Sequence, residues 1–387
     1  MKGPFPYLLL LFLLAAFLHA EFLLYVVYAM LIVVLVTRWW ARRALDAIVA
    51  VRRYESHALL GDTIAVELVL RNAGRLPIVW VEVRESLPVD LAPAMRVAHA
   101  LALAPRQRRT LRYELLGRKR GLYRLGPLRL SSGDLLGQQE YQREIAGDDF
   151  LTVYPRIVPL QRLGLPSLSP FGHLRSHEPL YADPARVGGV RDYSPGDNVR
   201  DIHWSASAAA GSLQVKVYEP AMSLPTALLL DLTLGGYDRA QGMIATELGV
   251  VVAASLAVAL GNARQEIALY TNGQDPLAAE VGISGFAMGK GQAHLVHILE
   301  LLARVQAVPE APFDALLDTV RTHLPWGATL VAIGPAGDAA YHASFVALRR
   351  AGFSVVRIVL GRRSGAPSHG LPVYYVAMLD DVDALNA

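Results

Sequence analysis

Between Val187 and Pro220 the chain reads VGGVRDYSPGDNVRDIHWSASAAAGSLQVKVYEP, a dense run of groups able to do chemistry. Arg191, Asp192, Tyr193, Asp197, Arg200, Asp201, His203 and Trp204 crowd into it. Three kinds of work suit such a set. One is an ion-pair network that fixes the loop. Another is a recognition surface for a partner protein. The third is hydrolysis, with Asp201 and His203 activating Ser205 or Ser207. Hydrolysis needs base and nucleophile within about 3 Å. Asp201 and His203 are two residues apart and do not face each other on a helix.

A second candidate is Asp231-Leu-Thr233-Leu-Gly235, which follows the apolar run Ala227 to Leu230. An Asp at the C-terminal end of a buried strand stands at the rim where α/β sheets bind ligands. Its ordinary work there is to hold loop amides or cap a helix. Gly285-Phe-Ala-Met-Gly289-Lys290-Gly291 invites a phosphate-loop reading, but Gly291 stands where a Mg²⁺-binding hydroxyl belongs. No strand is expected directly before it, which also speaks against a phosphate loop. His173, His177, His294, His297 and His323 show no metal-protease spacing, and only His294 and His297 stand three apart. The absence of cysteine excludes disulfides, thiolate metal sites and cysteine nucleophiles. A net charge of +3 makes no case for nucleic acid.

Turn chemistry frames the first candidate. Tyr193-Ser-Pro195-Gly196 reads as a turn, with Asp197 as N-cap of a short helix over Asn198 to Ser205. Gly211 ends that region, and Leu213 to Tyr218 alternates like a strand. After Pro225 strands and helices alternate. The expected strands are Ala227–Leu230, Glu266–Tyr270, Ala328–Ile333, Ser354–Leu360 and Val373–Val376. Helices are expected over 240–260, over 293–305 and up to Ala351. Such alternation means βαβ units and a mostly parallel sheet. Residues 60–154 instead carry short alternating strands, among them Asp62–Leu70, Ile78–Val83, Arg108–Leu116 and Tyr123–Leu130, with a turn at Asn72-Ala-Gly74. That spacing predicts an antiparallel, sandwich-like β domain.

Apolar residues make up 53% of the chain, and part of that excess sits between Tyr7 and Val36, interrupted only by His19 and Glu21. One helix crosses the hydrocarbon core with about 20 residues. The run is longer and broken in the middle, which predicts a transmembrane hairpin with spans near 5–18 and 22–37 and a His-Ala-Glu turn. A single tilted helix is the alternative. Lys2 before the run, and Arg38, Arg42 and Arg43 after it, place both ends and the soluble domains on the cytoplasmic side. The expected organisation is a hairpin over 1–37, a basic juxtamembrane segment over 38–59, the β domain over 60–154, an irregular region over 155–225, and an α/β domain over 226–387.

The signature stretch resembles that of the bacterial domain of unknown function 58 family. The matching residues are Arg191, Tyr193, Pro195, Gly196, Asp197, Arg200, Ile202, His203, Trp204, Ala206 and Ser207, followed by Val215-Lys216-Val217-Tyr218-Glu219. Three positions depart from the pattern: Asn198, Ser205 and Ala209. Arg120-Gly121, Tyr123, Gly126-Pro127 and Val153-Tyr154-Pro155-Arg156 also resemble the family. The resemblance implies a C-terminal domain like von Willebrand factor A. In such domains Asp-x-Ser-x-Ser, with a distant Thr and Asp, holds Mg²⁺ through oxygens. Asp231 and Thr233 match as metal ligands, while Gly235 and Ile333-Gly334-Pro335 supply no hydroxyl or carboxylate. The resemblance further implies a non-enzymatic, membrane-bound adaptor working beside a MoxR-type AAA+ ATPase on an unnamed client. The A-like domain and the stretch Arg191 to Trp204 would supply the docking surface. A metal-dependent adhesion-type binder is the alternative.

Overall fold

The computed structural model describes residues 5–18, 21–91, 98–133, 140–163, 182–220, 225–278, 282–311, 313–361 and 370–376. They form two compact units, Met1–Pro155 and Arg156–Ala387.

In the first unit, helix α1 (Phe5–Phe17) packs along helix α2 (Glu21–Asp46). His19 and Ala20 of the expected turn lie outside the described residues. At 1.5 Å per residue, α1 is about 20 Å long and α2 about 39 Å, against a hydrocarbon core of about 30 Å. Only α2 of the pair is long and apolar enough on its own to cross a membrane. The expected second span stops at residue 37, followed by a separate juxtamembrane segment. Instead α2 continues unbroken to Asp46, because Arg38 to Leu45 is built from good helix formers and has a surface to pack on. Thr37, Ala41, Ala44 and Leu45 are buried, and Ala44 and Leu45 join the core of the β domain. Trp40 Nε1 donates to Pro77 O at 3.0 Å. The carbonyls at the helix end would otherwise lack partners. Arg143 Nη1 donates to Leu45 O, Asp46 O and Ile48 O at 3.0, 2.7 and 3.0 Å.

The β domain therefore begins at residue 48, not 60. Its strands are β1 (Ile48–Arg53), β2 (His57–Leu59), β3 (Thr63–Asn72), β4 (Ile78–Glu85), β5 (Ala98–Leu103), β6 (Arg108–Leu116), β7 (Gly121–Leu125), β8 (Leu128–Gly133), β9 (Glu140–Ile145) and β10 (Asp149–Tyr154). The expected strand Tyr123–Leu130 is two strands, parted at Gly126-Pro127 because proline cannot continue a ladder. Three sheets have the orders β1-β3-β6, β5-β4-β8-β9 and β2-β10-β7. All pairs are antiparallel except β2 with β10. Ile64, Val66, Leu68 and Leu70 alternate inward along β3, the period-two pattern of a half-buried strand. Leu68 and Leu70 share a core with Ile78, Val81 and Val83 from the facing sheet, so the arrangement is sandwich-like. Asn72 is buried and its Nδ2 donates to Leu76 O at 2.8 Å and Ala104 O at 3.2 Å. Its Oδ1 accepts from Gly74 N at 2.9 Å, which makes the expected Asn-x-Gly turn. The surprise in β1 is Arg52, whose side chain is nearly inaccessible. It meets the buried Glu85 and, at 2.6 Å, Asp149, while Tyr113 Oη donates to Glu85 at 2.7 Å.

The second unit carries an antiparallel hairpin, β11 (Ala182–Asp192) and β12 (Gln214–Pro220), with helix α3 (Trp204–Ala210) between its arms. The remaining elements are β13 (Thr226–Leu230), α4 (Gly242–Asn262), β14 (Ile267–Thr271), β15 (Ser284–Gly289), α5 (Gln292–Arg304), α6 (Phe313–His323), β16 (Thr329–Gly334), α7 (Ala339–Arg350), β17 (Ser354–Leu360) and β18 (Val373–Val376). The sheet order is β15-β14-β13-β16-β17-β18. It is parallel apart from β15, which runs antiparallel to β14. Leu228 and Leu230 face α4 and α5, whereas Ala227 and Leu229 face α6 and α7. Being covered on both faces explains why β13 reads as a continuous apolar run. Burial also explains α4: it is apolar enough to cross a membrane, but two thirds of its apolar stretch is buried against this sheet. Residues 284–289 form an edge strand, and Gly291, at φ 92°, is the N-cap of α5. A helix starts where expected, but a strand directly precedes it.

Candidate functional site

The signature residues fold into one knot at the end of the hairpin. Tyr193 N donates to Leu213 O at 2.8 Å and closes the last rung. Gly196, at φ 113°, makes a turn that a side chain would strain. The sequence predicts that Asp197 caps a helix over 198–205. In the structure it pairs with Arg191: Nη1 donates to Oδ2 at 2.7 Å and Nη2 to Oδ1 at 2.5 Å. Asp197 Oδ2 also accepts from Ser194 N at 2.8 Å. The Arg191 fork, then the Ser194 amide, hold the Asp197 carboxyl below its ordinary range. With Asp197 so engaged, Asn198 caps a single 3₁₀ turn over Val199–Asp201, and the helix waits until Trp204.

His203 caps that helix. Its Nδ1 accepts from Ala206 N at 3.2 Å and lies 3.1 Å from Ser205 Oγ. Its backbone N–H donates to Gln214 O at 2.8 Å. Ser207 Oγ donates to His203 O at 3.0 Å and accepts from Gln214 N at 2.8 Å. Gly211, at φ 70°, ends the helix. Arg191, Asp197, His203 and Ser207 are thus bonded into the knot. Trp204 is not: it is 67% exposed, and Val199 and Leu213 of the same stretch are exposed too. Pro195 and Arg200 are exposed as well.

The second cluster sits at the C-terminal ends of β13, β14 and β16. Asp231 is only 2% exposed. Its Oδ1 accepts from Thr233 N at 3.0 Å and Asn272 Nδ2 at 2.8 Å. Its Oδ2 accepts from Tyr341 Oη at 3.1 Å. Asn272 Nδ2 also donates to Thr233 Oγ1 at 3.0 Å. Which way this amide points is not arbitrary. Its Oδ1 takes the backbone N–H of Leu232 at 2.8 Å, so the NH₂ must face Asp231 and Thr233. Those are the two oxygens expected to hold Mg²⁺. The structure brings them together, but a hydrogen-bond donor bridges them where a cation would stand. Oxygen-seeking Mg²⁺ demands acceptors in near-ideal octahedral array. The residues present do not fit it. Among the described residues no three His, Asp or Glu side chains gather at metal-binding distance.

Gly334 belongs to this closure. A Cβ there would come within 2.9 Å of Asp231 Cβ and 3.0 Å of Tyr341 Oη, so only glycine leaves room for the Tyr341 bond. Behind Tyr341 lies Arg357, also 2% exposed. Its guanidinium donates to His342 Nδ1 at 2.7 Å, Pro335 O at 2.9 Å and Ala336 O at 3.0 Å, and rests on the Tyr341 and Phe345 rings. Burial, then the Asp231 charge, pushes the Tyr341 phenol well above its usual range, and burial lowers Arg357. Asn272, Tyr341, His342 and Arg357 are not among the residues the sequence singles out. Arg357 carried a signal, a charge inside the apolar run SVVRIVL, and Asn272 follows its strand as Asp231 follows β13. The other histidines do structural work: His294 bonds Ile267 O at 2.7 Å and His297 stacks on Phe286. His173 and His177 lie outside the described residues.

Residues 189–331, which contain most of the knot together with Asp231 and Asn272, match the model of a family described as "Protein of unknown function DUF58". The chain is 29% identical over 228 residues to the uncharacterized protein YeaD of Bacillus subtilis (strain 168), covering 56% of this chain and 53% of that one. It thus spans about half the length of the curated relative it matches. Among solved structures, similarity extends to the CARDB domain of a Pyrococcus furiosus protein, at 12% identity and TM-score 0.20 over 27% of this chain and 91% of that one. Another is proximal thread matrix protein 1 of the mussel byssus, at 12% identity and TM-score 0.29 over 42% of this chain and 45% of that one. At those scores neither likeness bears on fold or function.

Proposed function

We propose, from the match of residues 189–331 to the DUF58 family model, that the chain is a membrane-anchored, non-catalytic adaptor that docks a MoxR-type AAA+ ATPase. The observation that carries this reading is Trp204. It is 67% exposed on a knot in which the Arg191, Asp197, His203 and Ser207 side chains bond inward. An exposed Trp on a hydrogen-bonded knot, with Val199 and Leu213 of the same stretch also exposed, is the kind of anchor that dominates binding at protein interfaces. The self-satisfied Asp231 cluster supports a role without catalysis or metal. The parallel sheet with its antiparallel edge strand supports the von Willebrand factor A-like reading. Basic residues at 38, 42 and 43 favour the cytoplasmic side for the β domain and the second unit.

The test is co-purification of the full chain with the AAA+ ATPase of the same genome. Trp204→Ala and Arg191→Glu should weaken capture at least tenfold, since losing an anchor costs about 2 kcal/mol or more. Asp231→Ala should weaken it through the fold. Undiminished capture by the first two would sink docking through the knot. A hydrolase is the second reading, favoured by the 3.1 Å approach of Ser205 Oγ to His203 Nδ1. Labelling by a serine-directed fluorophosphonate, abolished in Ser205→Ala, would support it over the adaptor.

A further inference from the structure

From the end of the apolar stretch of α2 onward, residues 35, 38, 39, 42, 43 and 46 recur at helical spacing and so form one stripe. The opposite face, Thr37, Ala41, Ala44 and Leu45, is buried. Leu35, Arg38, Trp39, Arg42, Arg43 and Asp46 line a cavity of about 470 Å³ on the stripe side. Three guanidiniums against one carboxylate leave it doubly positive. The stripe cannot turn away, because Trp40 and Arg143 bond the helix to the β domain on its other faces. Arg42 is further set in place, its guanidinium 4.9 Å from the centre of the Tyr141 ring.

We propose that this cavity binds the phosphate headgroup of an anionic phospholipid. Arginine forks match phosphate oxygens two at a time, which a loose basic tail does not achieve. Position selects the lipid as the source of the phosphate. Arg38 to Arg43 spans about 7.5 Å along the helix, and a headgroup layer is about 5–8 Å deep. Residues 22–36 span about 22 Å, less than the hydrocarbon core of about 30 Å, so bilayer thinning around the helix brings the guanidiniums to headgroup depth. Trp39, 61% exposed, lies where interfacial aromatics belong. This inference rests on α2 entering a bilayer.

The full chain is placed in nanodiscs of phosphatidylcholine, or of a three-to-one mixture with phosphatidylglycerol, and retained lipid is weighed by native mass spectrometry. Wild type should retain phosphatidylglycerol over phosphatidylcholine at least tenfold. Arg38→Gln, Arg42→Gln and Arg43→Gln should each cut that preference about fivefold, and the triple variant should lose it. Arg108→Gln with Arg109→Gln, on the exposed edge of β6, removes charge elsewhere and should keep it. Equal retention of both lipids, or a triple variant that keeps the preference, overturns the proposal. So does displacement of the lipid by millimolar inorganic phosphate. Release of the wild type from membranes by alkaline carbonate would instead overturn the anchor on which the proposal stands.

Discussion

Replacing Asn272 with Ala withdraws three hydrogen bonds from a buried loop junction. Leu232 N–H loses its acceptor, Asp231 Oδ1 loses a donor, and Thr233 Oγ1 loses another. A buried amide left without a partner costs about 1–3 kcal/mol, and a hydrogen bond to a charged group contributes about 1.5–3 kcal/mol. The expected loss is about 3–5 kcal/mol. For a unit of this size that lowers Tm by about 6–20 °C, read as the shift of the second unit's transition in calorimetry of the full chain. Asn272→Asp separates the two accounts of the site. It sets a carboxyl 2.8 Å from Asp231 Oδ1, and two carboxylates that close cannot both ionise. The folded pKa of the pair is raised, so its stability is present at low pH and lost as pH rises. Added Mg²⁺ should restore this variant at neutral pH while leaving wild type unmoved. A wild-type Tm that climbs with Mg²⁺, as RT ln(1 + [L]/Kd) requires of a true site, would refute the view that the amide occupies the cation's place.

Two further outcomes concern ion pairs, one in each unit. Glu85→Ala leaves Arg52 buried without its main partner and Tyr113 Oη without its acceptor, so the first unit should lose about 3–5 kcal/mol in denaturant unfolding. Arg52→Met with Glu85→Leu should recover most of it, and a double variant as unstable as the single would contradict this. The knot should open with acid. The folded Asp197 carboxyl lies below its ordinary range, so its contribution is complete above about pH 4 and fades as pH falls through the folded value. Asp197→Asn should therefore exchange the Tyr193 amide faster than wild type at neutral pH, and equal rates would rule out the Arg191 fork as its clamp.

The sequence carried the layout of the second unit because the central strands are covered on both sides and read as apolar runs. Ser354–Leu360 and Val373–Val376 fall where periodicity puts them. The α6 segment Phe313–His323 and the edge strand Ser284–Gly289 escaped, one amphipathic between prolines and loops, the other broken by glycines. Misreadings arose where a distant partner outbid a local preference. Asp197 is a sound N-cap by type, but Arg191 across the hairpin holds both its oxygens. Val-Arg-Arg at the end of β1 looks like a basic linker until Glu85 and Asp149, far along the chain, surround Arg52. The Asp231 cluster was half legible: its acid and Thr233 were visible, whereas Asn272 and Tyr341 arrive from strands and helices that only the sheet order brings together.

The uninterrupted run of α2 into the β domain has a mechanical consequence. A flexible tether lets a domain explore a cone above the bilayer and forgets the angle of its anchor within a few residues. Here no such joint exists between residue 21 and the sandwich. The helix end is clamped by Arg143, its flank is pinned through Trp40, and its last turns are part of the core. The β domain and α2 therefore behave as a crank: any tilt or rotation imposed on the apolar end of the helix appears undiminished at the other.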